Sequence, residues 1–193
     1  KVDSSWKYLP MNASSNQLTA EAVWTIPAIL SGLEQVCSDW QIYSPKCEPF
    51  WAEASKFKHC RRVYDACRGV TLALEAGLPA VIFVPNRQLP NVMNFARSCD
   101  VQAPMIMVIE DHPTLAPQHL PRESSTRAGL TVIEPCSPSE VMYCASAAAK
   151  MSAATSTPTV LVTHHGLLGG SATLDVQGIV EQIPQRQSAE SID

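Results

Sequence analysis

Apolar positions along the chain alternate between two rhythms. Continuous apolar runs of strand length occur at Ala80-Val81-Ile82-Phe83-Val84 and Met105-Ile106-Met107-Val108-Ile109, and again at Thr159-Val160-Leu161-Val162-Thr163. Runs of this kind suit strands buried on both faces of a parallel sheet. Between them the apolar spacing is helical. Ala22, Val23, Ile26, Ile29, Leu30 and Leu33 share one face of a helix predicted from an N-cap at Thr19, with a kink at Pro27. Arg62 to Ala76 predicts a helix with Val63, Ala66, Cys67, Val70 and Leu74 inward, closed by Gly77. Val92 to Ser98 predicts another, after a turn over Asn86 to Asn91. Ser137-Pro138-Ser139-Glu140 opens a further helix running toward Met151. Shorter strands are expected at Gln41 to Tyr43 and Leu130 to Ile133, a short helix at Cys47 to Ser55, and a polar loop from Glu110 to Arg127.

Strand and helix thus alternate without hairpin turns. The expected fold is α/β, a three-layer domain with a mostly parallel sheet. Functional groups then belong at the carboxyl ends of the strands, in loops beginning at Pro85, Glu110, Pro135 and His164. Residues 1–17 read as an N-terminal arm, 18–180 as the single α/β domain and 181–193 as a polar tail.

Composition narrows the function classes. The 193 residues include 46% hydrophobic and 17% charged side chains, with a formal charge of −4. The longest basic run is Arg61-Arg62, so a nucleic-acid-binding face is not expected. No apolar stretch approaches the ~20 residues of a membrane span, and Lys1 to Asn12 lack an apolar signal region. A soluble, cytoplasmic protein is the expectation. The low charge content points to a surface covered by a partner. Seven cysteines without a Cys-x-x-Cys read as small apolar side chains in a reducing compartment, with Cys60 and Cys67 on one face if their segment is helical. Only 8 glycines occur, about 4% where roughly 7% is usual.

Several signatures are absent. There is no Gly-x-x-x-x-Gly-Lys-Ser/Thr and no Gly-x-Ser-x-Gly. His164-His165 lack further ligands at zinc spacing, so no metal site is expected, and a polar loop is the simpler account of them. Asn12-Ala13-Ser14 matches a glycosylation acceptor by a pattern too short to be specific.

The informative stretch runs from Tyr64 to Asn91. An acid, Asp65, near the start of a helix leads through a buried strand to the turn Asn86-Arg87-Gln88-Leu89-Pro90-Asn91. This order resembles the pyrimidine-binding domain of thiamine-diphosphate-dependent 2-oxoacid enzymes, especially the alpha subunits of sulfopyruvate and phosphonopyruvate decarboxylases. Their turn has the form Asn-Ser-Gly-Leu-Gly-Asn, and Asn86, Leu89 and Asn91 keep its register. Pro117-Gln118-His119 is similar to a segment of the phosphonopyruvate relatives. Ile109-Glu110-Asp111-His112-Pro113 and Glu134-Pro135-Cys136-Ser137-Pro138-Ser139-Glu140-Val141 resemble segments of indolepyruvate ferredoxin oxidoreductase alpha subunits. The likeness spans about residues 38–165.

The resemblance implies the thiamine-diphosphate-binding fold and one half of an interfacial active site. In such enzymes a carboxylic acid hydrogen-bonds the pyrimidine nitrogen and favours the tautomer that takes the thiazolium proton. The cofactor then serves as electron sink for a 2-oxo acid. Asp65 stands at that acid's position, one methylene shorter than the family's glutamate, a deficit of ~1.5 Å that can cost on the order of 100-fold in rate. Asn86, Leu89 and Asn91 would hold the cofactor; Arg87, Gln118 and His119 would meet the substrate. Gln88 and Pro90 replace the family's glycines, narrowing backbone freedom in the turn. No Gly-Asp-Gly occurs, so the Mg²⁺ and diphosphate belong to a pyrophosphate-domain (beta) subunit in a homo- or hetero-oligomer. The departures leave a second reading open: a catalytically degenerate domain that acts as a structural or regulatory partner.

Overall fold

The computed structural model describes residues 22–45, 58–99, 103–111, 120–164 and 171–173. The arm at 1–17, the tail at 181–193, Thr19, Asn12, the helix expected at 47–55, Gln118, His119 and His165 all lie outside them. In chain order the elements are β1 (Ala22–Trp24), α1 (Thr25–Glu34), β2 (Gln41–Pro45), β3 (Lys58–Cys60), α2 (Val63–Glu75) and β4 (Ala80–Pro85). There follow α3 (Leu89–Ser98), β5 (Met105–Asp111), α4 (Pro121–Arg127), β6 (Thr131–Ile133), α5 (Val141–Thr155), β7 (Thr159–His164) and β8 (Ser171–Thr173). Six strands form one all-parallel sheet in the order β3-β2-β4-β5-β7-β6, while β1 and β8 pair antiparallel in a separate ribbon. The class is α/β, three layers around a parallel sheet.

The apolar runs explain the layers. Within β4, Val81 and Phe83 face one side and Ala80, Ile82 and Val84 the other. Ile106 and Val108 of β5 alternate with Met105, Met107 and Ile109 in the same way. The side of Val81 and Phe83 is covered by α1 and α5 through Ala28, Ile29, Leu33, Met142, Ala145, Ala148 and Ala149. The opposite side is covered by α2 and α3 through Ala66, Val70, Leu74, Leu89, Val92 and Met93. Side chains buried on both faces of the sheet remove several strands' worth of apolar surface from water, at ~25 cal/mol per Å².

Polar groups pin the layers. Ser152 Oγ on α5 accepts from the Met105 N–H that opens β5 (2.9 Å) and donates to the Thr157 carbonyl (2.7 Å). The Trp40 indole N–H donates to the Leu33 carbonyl at 2.8 Å, satisfying an end group of α1. Gly77, at φ 72°, closes α2 as its spacing predicts, with Leu78 N–H reaching back to the Ala73 carbonyl at 2.9 Å.

Several expectations are corrected. The first helix begins at Thr25, because residues 22–24 pair with 171–173 as a ribbon. Pro27 therefore falls in its first turn, where the missing N–H costs nothing. The helix after β4 begins at Leu89, following a 3-10 turn over Asn86–Gln88, and Pro90 sits in its opening turn for the same reason. The stretch expected as loop contains α4, opened by Pro121. Cys60 lies on the edge strand β3, outside any helix, yet packs on the same core as Cys67. Among the described residues no helix is long and apolar enough to cross a membrane.

Close approach places two glycines. A methyl group at Gly69 would meet the buried Tyr43 ring, and one at Gly32 would meet the Met142 carbonyl oxygen and the Ala145 methyl. Gly32→Ala gains about 1 kcal/mol of helix propensity, but overpacking against a backbone carbonyl costs about 1–3 kcal/mol. A net loss of stability is expected, read as a lower urea midpoint. An unchanged or higher midpoint would mean that α1 and α5 part freely.

Burial also sets the thiols. Desolvation pushes Cys67 up to about 12 and Cys144 up to about 11. A raised thiol contributes stability that is fully present below the unfolded value near 8.5 and is lost as pH rises toward the folded one. Unfolding midpoints between about pH 9 and pH 12 should therefore fall more steeply for the native chain than for Cys67→Ala; parallel curves would refute the assignment.

Candidate functional site

In a parallel sheet every strand ends on the same side, so the ends of β2, β4, β5, β6 and β7 form one rim. The registers bring them level: Pro85 pairs with Glu110, Glu110 with Thr163, and Asp111 with His164. Polar side chains begin where the apolar runs stop.

On one half of the rim these groups satisfy one another. His164 Nε2 lies 2.8 Å from Glu134 Oε1, and its Nδ1 lies 3.7 Å from Asp111 Oδ2. Arg122 on α4 forms a short ion pair with Glu134 through its terminal nitrogen and donates a second bond from Nε at 2.8 Å. The Glu134 carboxylate pushes the Arg122 guanidinium up further from an already high value. Asn86 Nδ2 donates to Asp111 Oδ1 at 3.4 Å, tying the turn after β4 to the end of β5. Glu110 is buried at the same level. Each cation here has a carboxylate within reach.

The other half is open. A cleft of about 670 Å³ lies between the start of α2 and the β4–α3 turn, lined by Arg61, Arg62, Tyr64, Arg87, Asn91 and Asn94 among others. Arg61, Arg62 and Arg87 are exposed, and among the described residues no carboxylate lines it. A smaller hollow of about 210 Å³, lined by Leu30, Leu33, Trp40 and Ile42, lies at the amino end of β2, away from the polar rim.

Of the site residues read from the sequence, Arg87 and Asn91 come together in this cleft, with Asn91 Nδ2 donating to Gln88 Oε1 at 3.2 Å. Asp65 is exposed in the first turn of α2, one residue beyond Tyr64 and outside the lining. Its carboxylate has no side-chain hydrogen bond or ion pair among the described residues, and together with partial burial its charge raises the Cys60 thiol. Asn86 and Leu89 lie behind the turn: Asn86 is 3% exposed and Leu89 1%, packed into the core. Sequence reasoning missed Arg61 and Arg62, though the one basic pair sits at a strand-to-helix junction. It also missed the Asp111–His164–Glu134–Arg122 chain. Each carboxylate lies at or beside the start of a loop flagged from its strand end, but their convergence required the strand order.

Thiamine diphosphate makes two different demands on a protein. Its pyrimidine end needs a carboxyl group free to hydrogen-bond a ring nitrogen; an exposed carboxylate not engaged by the fold, as Asp65 is, fits that end. Its Mg²⁺-diphosphate end needs a cluster of oxygen ligands, and among the described residues no group of His, Cys, Asp and Glu could hold a metal ion. Among the described residues there is thus a carboxylate to offer the ring end and no metal-ligand group to offer the other.

No family model matches the sequence, and no curated protein does. Among solved structures the chain is similar to 2-oxoglutarate:ferredoxin oxidoreductase from Magnetococcus marinus, a structure with 2-oxoglutarate, coenzyme A and succinyl-CoA bound. The TM-score is 0.57 at 11% identity, covering 79% of this chain and 30% of that one. The chain thus spans under a third of the enzyme it matches. At that identity the likeness is one of fold, and the fold is the thiamine-diphosphate-binding one.

Proposed function

We propose that this chain is the pyrimidine-type, alpha-subunit-like half of a thiamine-diphosphate-dependent 2-oxoacid decarboxylase or oxidoreductase. The observation that carries the reading is the unengaged Asp65 carboxylate, at the helix start where the resembled enzymes place their acid, on a fold shared with a 2-oxoglutarate:ferredoxin oxidoreductase. Asp65 would hold the pyrimidine nitrogen of the cofactor and set its protonation. When bound, thiamine diphosphate supplies an electron sink for bond cleavage beside a 2-oxo group. Asn86, through Asp111, and Leu89, through the core, hold the turn in place; Asn91 stands at its cleft side. Arg87 would pair with the acid's carboxylate, a charge-assisted contact, with Gln118 and His119 as further substrate contacts. A partner domain, in the same assembly, would hold the diphosphate and Mg²⁺.

A second reading, a degenerate domain serving as an interaction partner, is favoured by one feature. Tyr64 is 74% exposed beside three arginines, and Tyr and Arg are the residues that anchor interfaces.

The two are separated by co-expressing the chain with a Gly-Asp-Gly-containing subunit from a neighbouring reading frame and following release of CO₂ from 2-oxo acids with thiamine diphosphate and Mg²⁺. Turnover is expected to need both chains and to fall at least 100-fold in Asp65→Ala, with Asp65→Glu active. A fully active Asp65→Ala complex would reject the role given to Asp65. A stable complex without cofactor binding or turnover would select the second reading.

A further inference from the structure

The exposed residues of α2 fall on one side of it. Tyr64, Asp65, Arg68, Leu72 and Glu75 are exposed, while Ala66, Cys67, Val70, Ala73 and Leu74 turn into the core. Helix positions three, four and seven apart share a face, so the exposed ones form a single outward stripe. The solvent face of a surface helix is ordinarily polar, yet Leu72 is 57% exposed on this one. Large exposed hydrophobic side chains among the described residues are Tyr64, Leu72, Leu78, Leu120 and Met151. The first three gather here, Leu78 standing directly after the Gly77 turn that closes α2. Single exposed apolar residues need no explanation, but a group of them does.

The charges beside Leu72 have no partner on their own chain. Neither Arg68 nor Glu75 has an ion pair or side-chain hydrogen bond among the described residues, whereas Arg127 and Glu123 on α4 pair with each other. Arg68 and Glu75 are two helical turns apart, ~10 Å along the axis, too far to meet. They flank Leu72, the base before it and the acid after it.

A second α2 laid antiparallel on the first satisfies this pattern. With Leu72 of both copies at the two-fold axis, Arg68 of each copy faces Glu75 of the other. Further out, Tyr64 of each comes over Leu78 of the other. Asp65 has no counterpart in the pairing. The parallel arrangement would set Arg68 on Arg68 and Glu75 on Glu75, and opposed like charges disfavour it. We infer that the outer face of α2 is a self-association surface, through which two copies of this chain pair antiparallel about Leu72. A two-fold contact needs a patch that complements itself, and a base and an acid on either side of an apolar centre make one. A single helix face per copy falls toward the small end of protein interfaces, so the dimer is concentration-dependent rather than obligate. This goes beyond the proposed function. It requires neither a cofactor nor a partner subunit, so its failure leaves that reading untouched.

Sedimentation of the full chain over a range of concentrations tests it. A monomer–dimer equilibrium is expected, with dimer accumulating toward millimolar chain. Leu72→Glu, which opposes two carboxylates at the axis, should leave a monomer throughout. Arg68→Glu and Glu75→Arg should each weaken self-association roughly tenfold or more. An equimolar mixture of those two variants should dimerise again, because their charges are once more opposite across the contact. Met151→Glu, on α5 at the other side of the sheet, should associate as the native chain does. All four altered positions are exposed, so urea midpoints should stay unchanged. A native chain that is monomeric at millimolar concentration, or a dimer that survives Leu72→Glu, overturns the surface. Equal weakening by Met151→Glu overturns it as well. Charge variants that fail to associate when mixed overturn the antiparallel pairing.

Discussion

The structure depends on burying the central strands on both faces. β4 is buried throughout, and β5 is buried up to Glu110, with Asp111 half-buried. The middle of such a strand excludes an unpaired charge, since a buried one costs several kcal/mol, and the acids of β5, Glu110 and Asp111, stand at its end. The apolar runs therefore do two jobs. They hold α1 and α5 on one side and α2 and α3 on the other, and they expel polar chemistry to the strand ends. Because all six strands are parallel, those ends share one rim. Glu110, Asp111, Glu134 and His164 gather there because the sheet leaves them nowhere else to lie.

The rim divides by how its charges are balanced. Toward β5, β7 and β6, His164 stands between Asp111 and Glu134, and Glu134 also takes Arg122. Such a chain joins three strands and α4 and leaves little free charge for a ligand. Toward β2 and β4, arginines face an opening that no acid lines among the described residues. Ion pairs exposed on a surface contribute only about 0–1 kcal/mol, so the paired half is best understood as fixing the rim's geometry. Asn86 connects the two: it is buried, follows β4 directly, and reaches Asp111 on β5. The turn that presents Arg87 is thus held by the balanced half of the rim.

How much of this was legible in the sequence follows from what each signal reports. Continuous apolar runs identified β4, β5 and β7, and helical spacing identified α2 with its Gly77 stop, because burial on both faces or along one stripe leaves a periodic trace. β1, β3 and β8, each three residues long, leave no periodic trace. The first helix starts later than its spacing implies because Ala22 and Val23, which fit the helical face, pair in a ribbon instead, and the helix after β4 starts earlier because Pro90 reads as a turn residue, when in a helix's first turn it breaks no bond. At the site, Arg87 and Asn91 were legible from the turn and do share the cleft. Arg61, Arg62 and the His164 chain were not. Their meaning lies in strand order: β7 is inserted between β5 and β6, and β2 between β3 and β4, which no local pattern states.

The scarcity of glycine takes on a structural meaning in this frame. Gly32 and Gly69 are spent on close approach between layers, and Gly77 and Gly129 on left-handed turns. The turn after β4 has none: Gln88 and Pro90 stand there. Without glycine, the chain there cannot bring bare backbone up to a ligand; instead it coils into a 3-10 turn and starts α3, with Leu89 locked in the core. Pro90 removes one N–H from the helix start as well. Any contact with a ligand at this edge would then fall to long side chains, and Arg87 from the turn and Arg61 and Arg62 from across the cleft line it. A guanidinium on a flexible stem tolerates a rigid turn that a backbone donor could not. The same substitutions that distance this turn from the glycine-bearing form of its resembled relatives are therefore the ones that make an arginine-based cleft the workable alternative.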